Sequence, residues 1–78
     1  MPYYFFTTKA GATVSDGVDP IALPDDDTAL AEAVRSLGEM AKDQLPLGVR
    51  DISVAVRTAQ GETIHDVRLA VSVKSRGA

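Results

Sequence analysis

The chain has no cysteine and no tryptophan, and a single histidine among its 78 residues. Without cysteine there is neither a disulfide nor a thiolate metal site to reinforce the fold. The absence suits a reducing compartment. It also excludes a Cys-His nucleophile, and any Ser-His-Asp arrangement would have to be built on His65. No stretch approaches the ~18 apolar residues of a membrane span. The opening Met1-Pro2-Tyr3-Tyr4-Phe5-Phe6 has neither the basic lead nor the long apolar run of a secretory signal. A cytoplasmic protein with no membrane contact is the expectation. Gly11, Gly17, Gly48 and Gly61 are isolated from one another, which leaves no phosphate-cradling loop. Internal repeats, low-complexity tracts and linkers are also missing, so residues 1–78 read as one domain.

A domain of this size buries only about 60–65% of the surface its unfolded chain exposes, and a partner subunit is a common source of extra stability. The net charge of −3 is unevenly spread. Residues 1–49 carry three basic and eight acidic side chains, whereas residues 50–78 carry five basic and three acidic ones. The overall acidity argues against a polyanionic partner, although one face can still be locally basic.

Tyr3 to Thr8 is rich in aromatic and β-branched residues and predicts a strand. Gly11 supplies a turn into a short second strand at Thr13-Val14-Ser15. Asp16 to Pro20 breaks the pairing, and Ile21-Ala22-Leu23 resumes it until Pro24. From Asp27 to Gln44 the spacing of Leu30, Ala33, Val34, Leu37, Met40 and Ala41 predicts an amphipathic helix. Asp25, Asp26 and Asp27 stand where a cap and first-turn acids belong, and Pro46 and Gly48 end the helix. Ile52, Val54 and Val56 alternate with Ser53, Ala55 and Arg57. Val67, Leu69, Val71 and Val73 alternate with Arg68, Ala70, Ser72 and Lys74. Period two on both sides of Ala59 to Glu62 predicts a hairpin with one face buried, and Ile64 breaks the parity, so an irregularity is expected near His65.

Several short motifs spread along the chain resemble one family. They are Pro2 to Phe6, the turn glycine Gly11, the Leu23-Pro24-Asp25 lead into the helix, Ala31-Glu32-Ala33 within it, and the valine-rich hairpin around Gly61. Together they are similar to a group of short alphaproteobacterial, rhizobial-type proteins known as a domain of unknown function. In that group a basic residue often stands at the position of Tyr3 and an acid at that of Thr7. This chain departs at both, so a shared charged site is not expected there. The resemblance implies the same small α+β fold and supplies no activity, substrate or cofactor.

Weighed as chemistry, the remaining residues favour structure. His65 lies beside a turn with no glycine-framed serine in the chain, which suits a half-buried structural histidine. The Asp25–Asp27 cluster lacks the spacing and downstream glutamate of a calcium loop, and helix capping accounts for it. No metal, no cofactor and no catalytic residue are expected. The four consecutive aromatics are different. They place Tyr3 and Phe5 on one face of a strand and Tyr4 and Phe6 on the other, and one helix covers only one face. Beside them the outer hairpin face offers Ser53, Ala55, Ala70 and Ser72, framed by Arg57, Arg68 and Lys74.

The expected architecture is α+β in the order ββαββ, a four-stranded antiparallel sheet with one helix on one face. The expected strand order is 2-1-4-3, with the aromatic and last strands central and Asp51–Thr58 an open edge. The expected core is Leu30, Val34, Leu37, Met40, Ile52, Val54, Val56, Val67, Leu69, Val71 and one aromatic pair. The expected function is a non-catalytic protein–protein interaction module, binding itself as a homodimer or another protein. Its expected surface is Tyr4, Phe6, Arg57, Arg68 and Lys74. Weak binding of single-stranded nucleic acid on the same face is the alternative.

Overall fold

A computed structural model describes residues 1–77. Tyr3–Ala10 forms strand β1, and Gly11, at φ 60°, turns the chain into β2, Thr13–Ser15. β2 pairs back along Thr8–Ala10, and β3, Ile21–Ala22, pairs farther down the same edge opposite Tyr3 and Tyr4. Helix α1 spans Asp26–Gln44 and runs into a 3-10 turn at Leu45–Leu47. The hairpin strands β4, Asp51–Thr58, and β5, Thr63–Ala70, complete the fold. All neighbouring strands are antiparallel, in the order β2-β1-β4-β5 with β3 beside β1.

The class and the ββαββ-like order match expectation, but the sheet has five strands rather than four. The extra strand arises because Asp16 to Pro20 divides one edge strand into β2 and β3. Within that segment Gly17 packs so closely on Phe6 that a Cβ would overlap the Phe6 carbonyl oxygen. Gly17→Ala is therefore expected to cost about 2–3 kcal/mol, the upper part of the overpacking range, because the atoms in the way are Phe6 backbone and cannot swing aside. Urea denaturation measures it, and unchanged stability would mean that the segment does not need this close approach.

Strand order differs from expectation. β4, not β5, pairs with the aromatic strand, and Asp51–Thr58 is central rather than an edge. Ile52, Val54 and Val56 are fully buried, and Ser53 on the other face is buried too. A strand flanked on both sides and under a helix takes the most apolar run available. β5 ends at Ala70 instead of continuing through Lys74, because β4 begins at Asp51, opposite Ala70. Beyond it a single ladder contact remains, from the Val71 N–H to the Arg50 carbonyl at 2.8 Å. The irregularity near His65 is present. Val56 faces His65 and Arg57 faces Thr63, leaving Ile64 as the extra residue of a bulge.

Asp25 caps α1, accepting the Thr28 N–H at 2.8 Å and the Thr28 hydroxyl at 2.7 Å. Those two hydrogen bonds, the hydroxyl's first, hold the Asp25 carboxyl below the usual carboxylate range. The helix turns a different face inward from the one its larger apolar residues suggested. Ala29 and Ala33 are fully buried, Leu37 and Met40 pack partly against them, Leu30 is half-buried, and Val34 is 54% exposed. Two alanines one turn apart let the helix backbone approach the sheet closely, over β4 and β5. The core gathers Tyr4, Ala29, Ala33, Val54 and Val56, with Phe6, Leu23, Ile64 and Val67 around them. Val71 is only half-buried and Leu69, also expected inside, is 36% exposed at the sheet's edge.

Candidate functional site

Register sorts the side chains of the sheet between its two faces. Phe6 lies opposite Val56 and Thr8 opposite Val54, so the even-numbered residues of β1 face the helix. Phe5 lies opposite Arg57, Thr7 opposite Ala55 and Lys9 opposite Ser53, on the outer face. Of the five residues expected to form the interaction surface, Tyr4 and Phe6 are thus on the covered side. Tyr4 is buried and Phe6 packs against the core. Arg57 and Arg68 do stand on the outer face, across from Phe5 and Ser53. Lys74 lies past the end of β5 and is not on the sheet. Tyr3 and Phe5 are the aromatics of the outer face.

Tyr4 takes the inner side because its hydroxyl has a partner there. The hydroxyl donates to Asp26 Oδ1 at 2.7 Å. His65 reaches the same residue from β5, with Nε2 2.9 Å from the Asp26 carbonyl oxygen. A carbonyl only accepts, so Nε2 carries the proton in this contact. Asp26 thereby ties the first turn of α1 to both β1 and β5. The sequence reading accounts for Asp26, with Asp25 and Asp27, by helix capping and the helix dipole, and not by a contact with the sheet. The missed signal was that a tyrosine on the helix-facing side needs a polar partner for its hydroxyl.

The hydrogen bond to Asp26, then burial, then the negative charges of Asp26 and Asp25 push the Tyr4 hydroxyl up to about 12 from an ordinary 10.0. The folded chain therefore holds this proton more tightly than the unfolded chain does. The resulting stabilisation is fully present below about pH 10 and is lost as the pH rises through about 12. A spectrophotometric titration at 295 nm is expected to show one tyrosine ionising only toward pH 12, and Tyr4→Phe is expected to remove that step. A Tyr4→Phe variant with the late step intact would separate the shift from this hydroxyl.

The outer face has a simple composition. Tyr3 is 55% exposed and Val14 on β2 is 56% exposed. Phe5 is half-buried, and the small Ser53 and Ala55 lie between the rows of longer side chains. Lys9, Arg57 and Arg68 outnumber Asp51 and Asp66 on this face, while Asp25, Asp26 and Asp27 gather at the helix start. Among the described residues no second layer covers it. The same residues hold no pocket, no group of three potential metal ligands, and no helix long and apolar enough to cross a membrane. An open face with aromatics beside arginine offers contact area and orientation for a broad partner.

A sequence model of a family described as a domain of unknown function, DUF6894, matches residues 3–70. The chain belongs to that family. The DUF6894 match begins with β1 and ends with the last residue of β5, so it takes in the whole sheet and the helix. No curated protein and no solved structure matches the chain.

Proposed function

We propose that this DUF6894 domain is a small, non-catalytic protein–protein interaction module that acts in the cytoplasm and self-associates through its sheet. The observation that carries the reading is the sheet itself. One face bears Tyr3, Phe5, Val14 and Arg57 without a covering layer, and one long strand edge has no neighbour. The groups that could serve proton transfer are otherwise engaged. His65 and Tyr4 both bind Asp26, and Asp25 caps the helix. A domain of this size also gains most from a partner, since its own core is small.

Sedimentation velocity at tens of micromolar, a range in which a modest interface is populated, tests the reading. A concentration-dependent dimer is expected. A strictly monomeric species would remove self-association.

A second reading, single-stranded nucleic acid stacked on the outer face, is favoured by Tyr3 and Phe5 lying among Lys9, Arg57 and Arg68. The sequence pI of 4.8 and the acids Asp51 and Asp66 on the same face work against it. Fluorescence anisotropy of a labelled oligonucleotide at low ionic strength decides between them. Salt-sensitive binding supports the nucleic-acid reading, and no change in anisotropy ends it.

A further inference from the structure

β5 is the unprotected edge of the sheet. It is eight residues long, contains no proline and has β4 as its one strand neighbour. The opposite edge is cut into β2 and β3, with Gly17 pressed on Phe6 between them and Pro20 beside them. That edge is blunted in the usual way, whereas β5 is open to another strand.

The ladder determines which backbone groups of β5 are free. The Val71 N–H bonds the Arg50 carbonyl, and the Asp51 carbonyl accepts from Gly11 on the other side of β4. In an antiparallel pair the bonded residues alternate. Leu69, Val67 and His65 therefore direct their N–H and C=O groups at β4, and Ala70, Arg68 and Asp66 direct theirs outward. The two interior residues with outward backbone groups thus carry opposite charges. Both side chains are exposed on the outer face, across from the small Ser53 and Ala55, and neither makes an ion pair among the described residues.

We infer that a second copy of this chain pairs antiparallel along β5 about a two-fold axis at Val67, so that Asp66 of each copy faces Arg68 of the other. This inference rests on the reading of the domain as a self-associating module and specifies its interface. The charge pattern selects the register. Moving the axis to Asp66 places two aspartates opposite each other, and moving it to Arg68 places two arginines opposite each other. Directly opposed like charges destabilise a strand pair and opposite charges stabilise it. The axis at Val67 forms two favourable pairs and bonds the outward N–H and C=O groups of both edges.

The helix supplies the apolar part of the interface. β3 and β4 lie on either side of β1 and are both antiparallel to it, so α1 is the crossover between two parallel strands. Such crossovers are right-handed. With about 100° of rotation per residue, the residues that follow buried Ala29 and Ala33 are directed toward the β5 side. Those residues are Leu30, half-buried, and Val34, more than half exposed. A two-fold axis perpendicular to the sheet keeps both helices on one face, where these side chains and Leu69 flank the seam. A row of apolar residues beside an open edge, idle in the single chain, has a use in the pair.

Sedimentation equilibrium on the full chain tests the geometry with charge reversals at exposed positions. Asp66→Arg and Arg68→Asp are each expected to weaken the wild-type dimer about tenfold or more. An equimolar mixture of the two variants is expected to recover it, because each opposed pair then again joins one acid and one base. Val34→Glu, on the exposed helix flank, is expected to weaken the dimer while leaving unchanged the thermal midpoint measured at dilution where the wild type is monomeric. A wild-type dimer that both reversals leave intact, or variants that fail to recover on mixing, would overturn the β5 register. In those cases loss of the dimer on replacing Tyr3 and Phe5 by serine would keep self-association and assign it to the outer face. A wild-type chain that stays monomeric overturns the register and self-association together.

Discussion

Ile52→Ala is expected to lower the free energy of unfolding by about 2–5 kcal/mol. Ile52 has no exposed surface and lies on the helix-facing side of β4, between Ala10 of β1 and Leu69 of β5. Its side chain is enclosed by strands on both sides, so the surrounding backbone cannot collapse into the space that an alanine would leave. A domain of this length is stabilised by roughly 4–12 kcal/mol in all, and the loss is a large share of it. Val73 is the natural control. It continues the alternation that begins at Val67, and it is 61% exposed beyond the end of β5. Val73→Ala is expected to change stability by less than about 0.5 kcal/mol. Urea denaturation followed by circular dichroism measures both. Comparable effects at the two positions would contradict a central β4 and a β5 that ends at Ala70.

Ala33→Leu is expected to cost about 3 kcal/mol, the upper end for overpacking. Ala33 is completely buried in the core cluster with Ala29, Tyr4, Val54 and Val56. Three extra carbons there must push the helix off the sheet, which also strains the contacts of Asp26 with Tyr4 and His65 at the helix start. A leucine one residue later, Val34→Leu, adds one carbon and is expected to be close to neutral, since Val34 is more than half exposed. Thermal denaturation of the two variants distinguishes the alanine face from the face defined by larger apolar residues. A destabilised Val34→Leu beside a tolerated Ala33→Leu would reverse the assignment.

The helix shows why one part of the core was legible and another was not. Apolar spacing located α1 and its ends, because Asp25 and the Pro46–Gly48 segment have local conformational requirements. Spacing could not say which flank of the apolar stripe turns inward. A reading weighted by side-chain size chose Leu30 and Val34, whereas a helix packed closely on a sheet favours the small residues next to them. The aromatic strand posed the same kind of problem. Its alternation gave two candidate faces, and only the position of Asp26 on the first helical turn selected Tyr4 for the inside.

By itself the sequence determined the α+β class, the helix and its cap, the period-two strands, the irregularity near His65 and an aromatic pair on an uncovered face. Each of these follows from preferences acting over a few neighbouring residues: a carboxylate at a helix start, alternation along a strand, glycine at a positive φ. Tertiary structure alone decided that β4 is central, that β5 stops at Ala70 as an open edge, and that the aromatics of the outer face are Tyr3 and Phe5. Those choices depend on which distant segments meet. β4 wins the centre because its inward residues are fully buried between two strands and beneath α1, and β5, with Asp66 and Arg68 on its outer face, is left at the rim. Strand order is set by this competition for buried area between segments far apart in the chain, and no local pattern encodes its outcome.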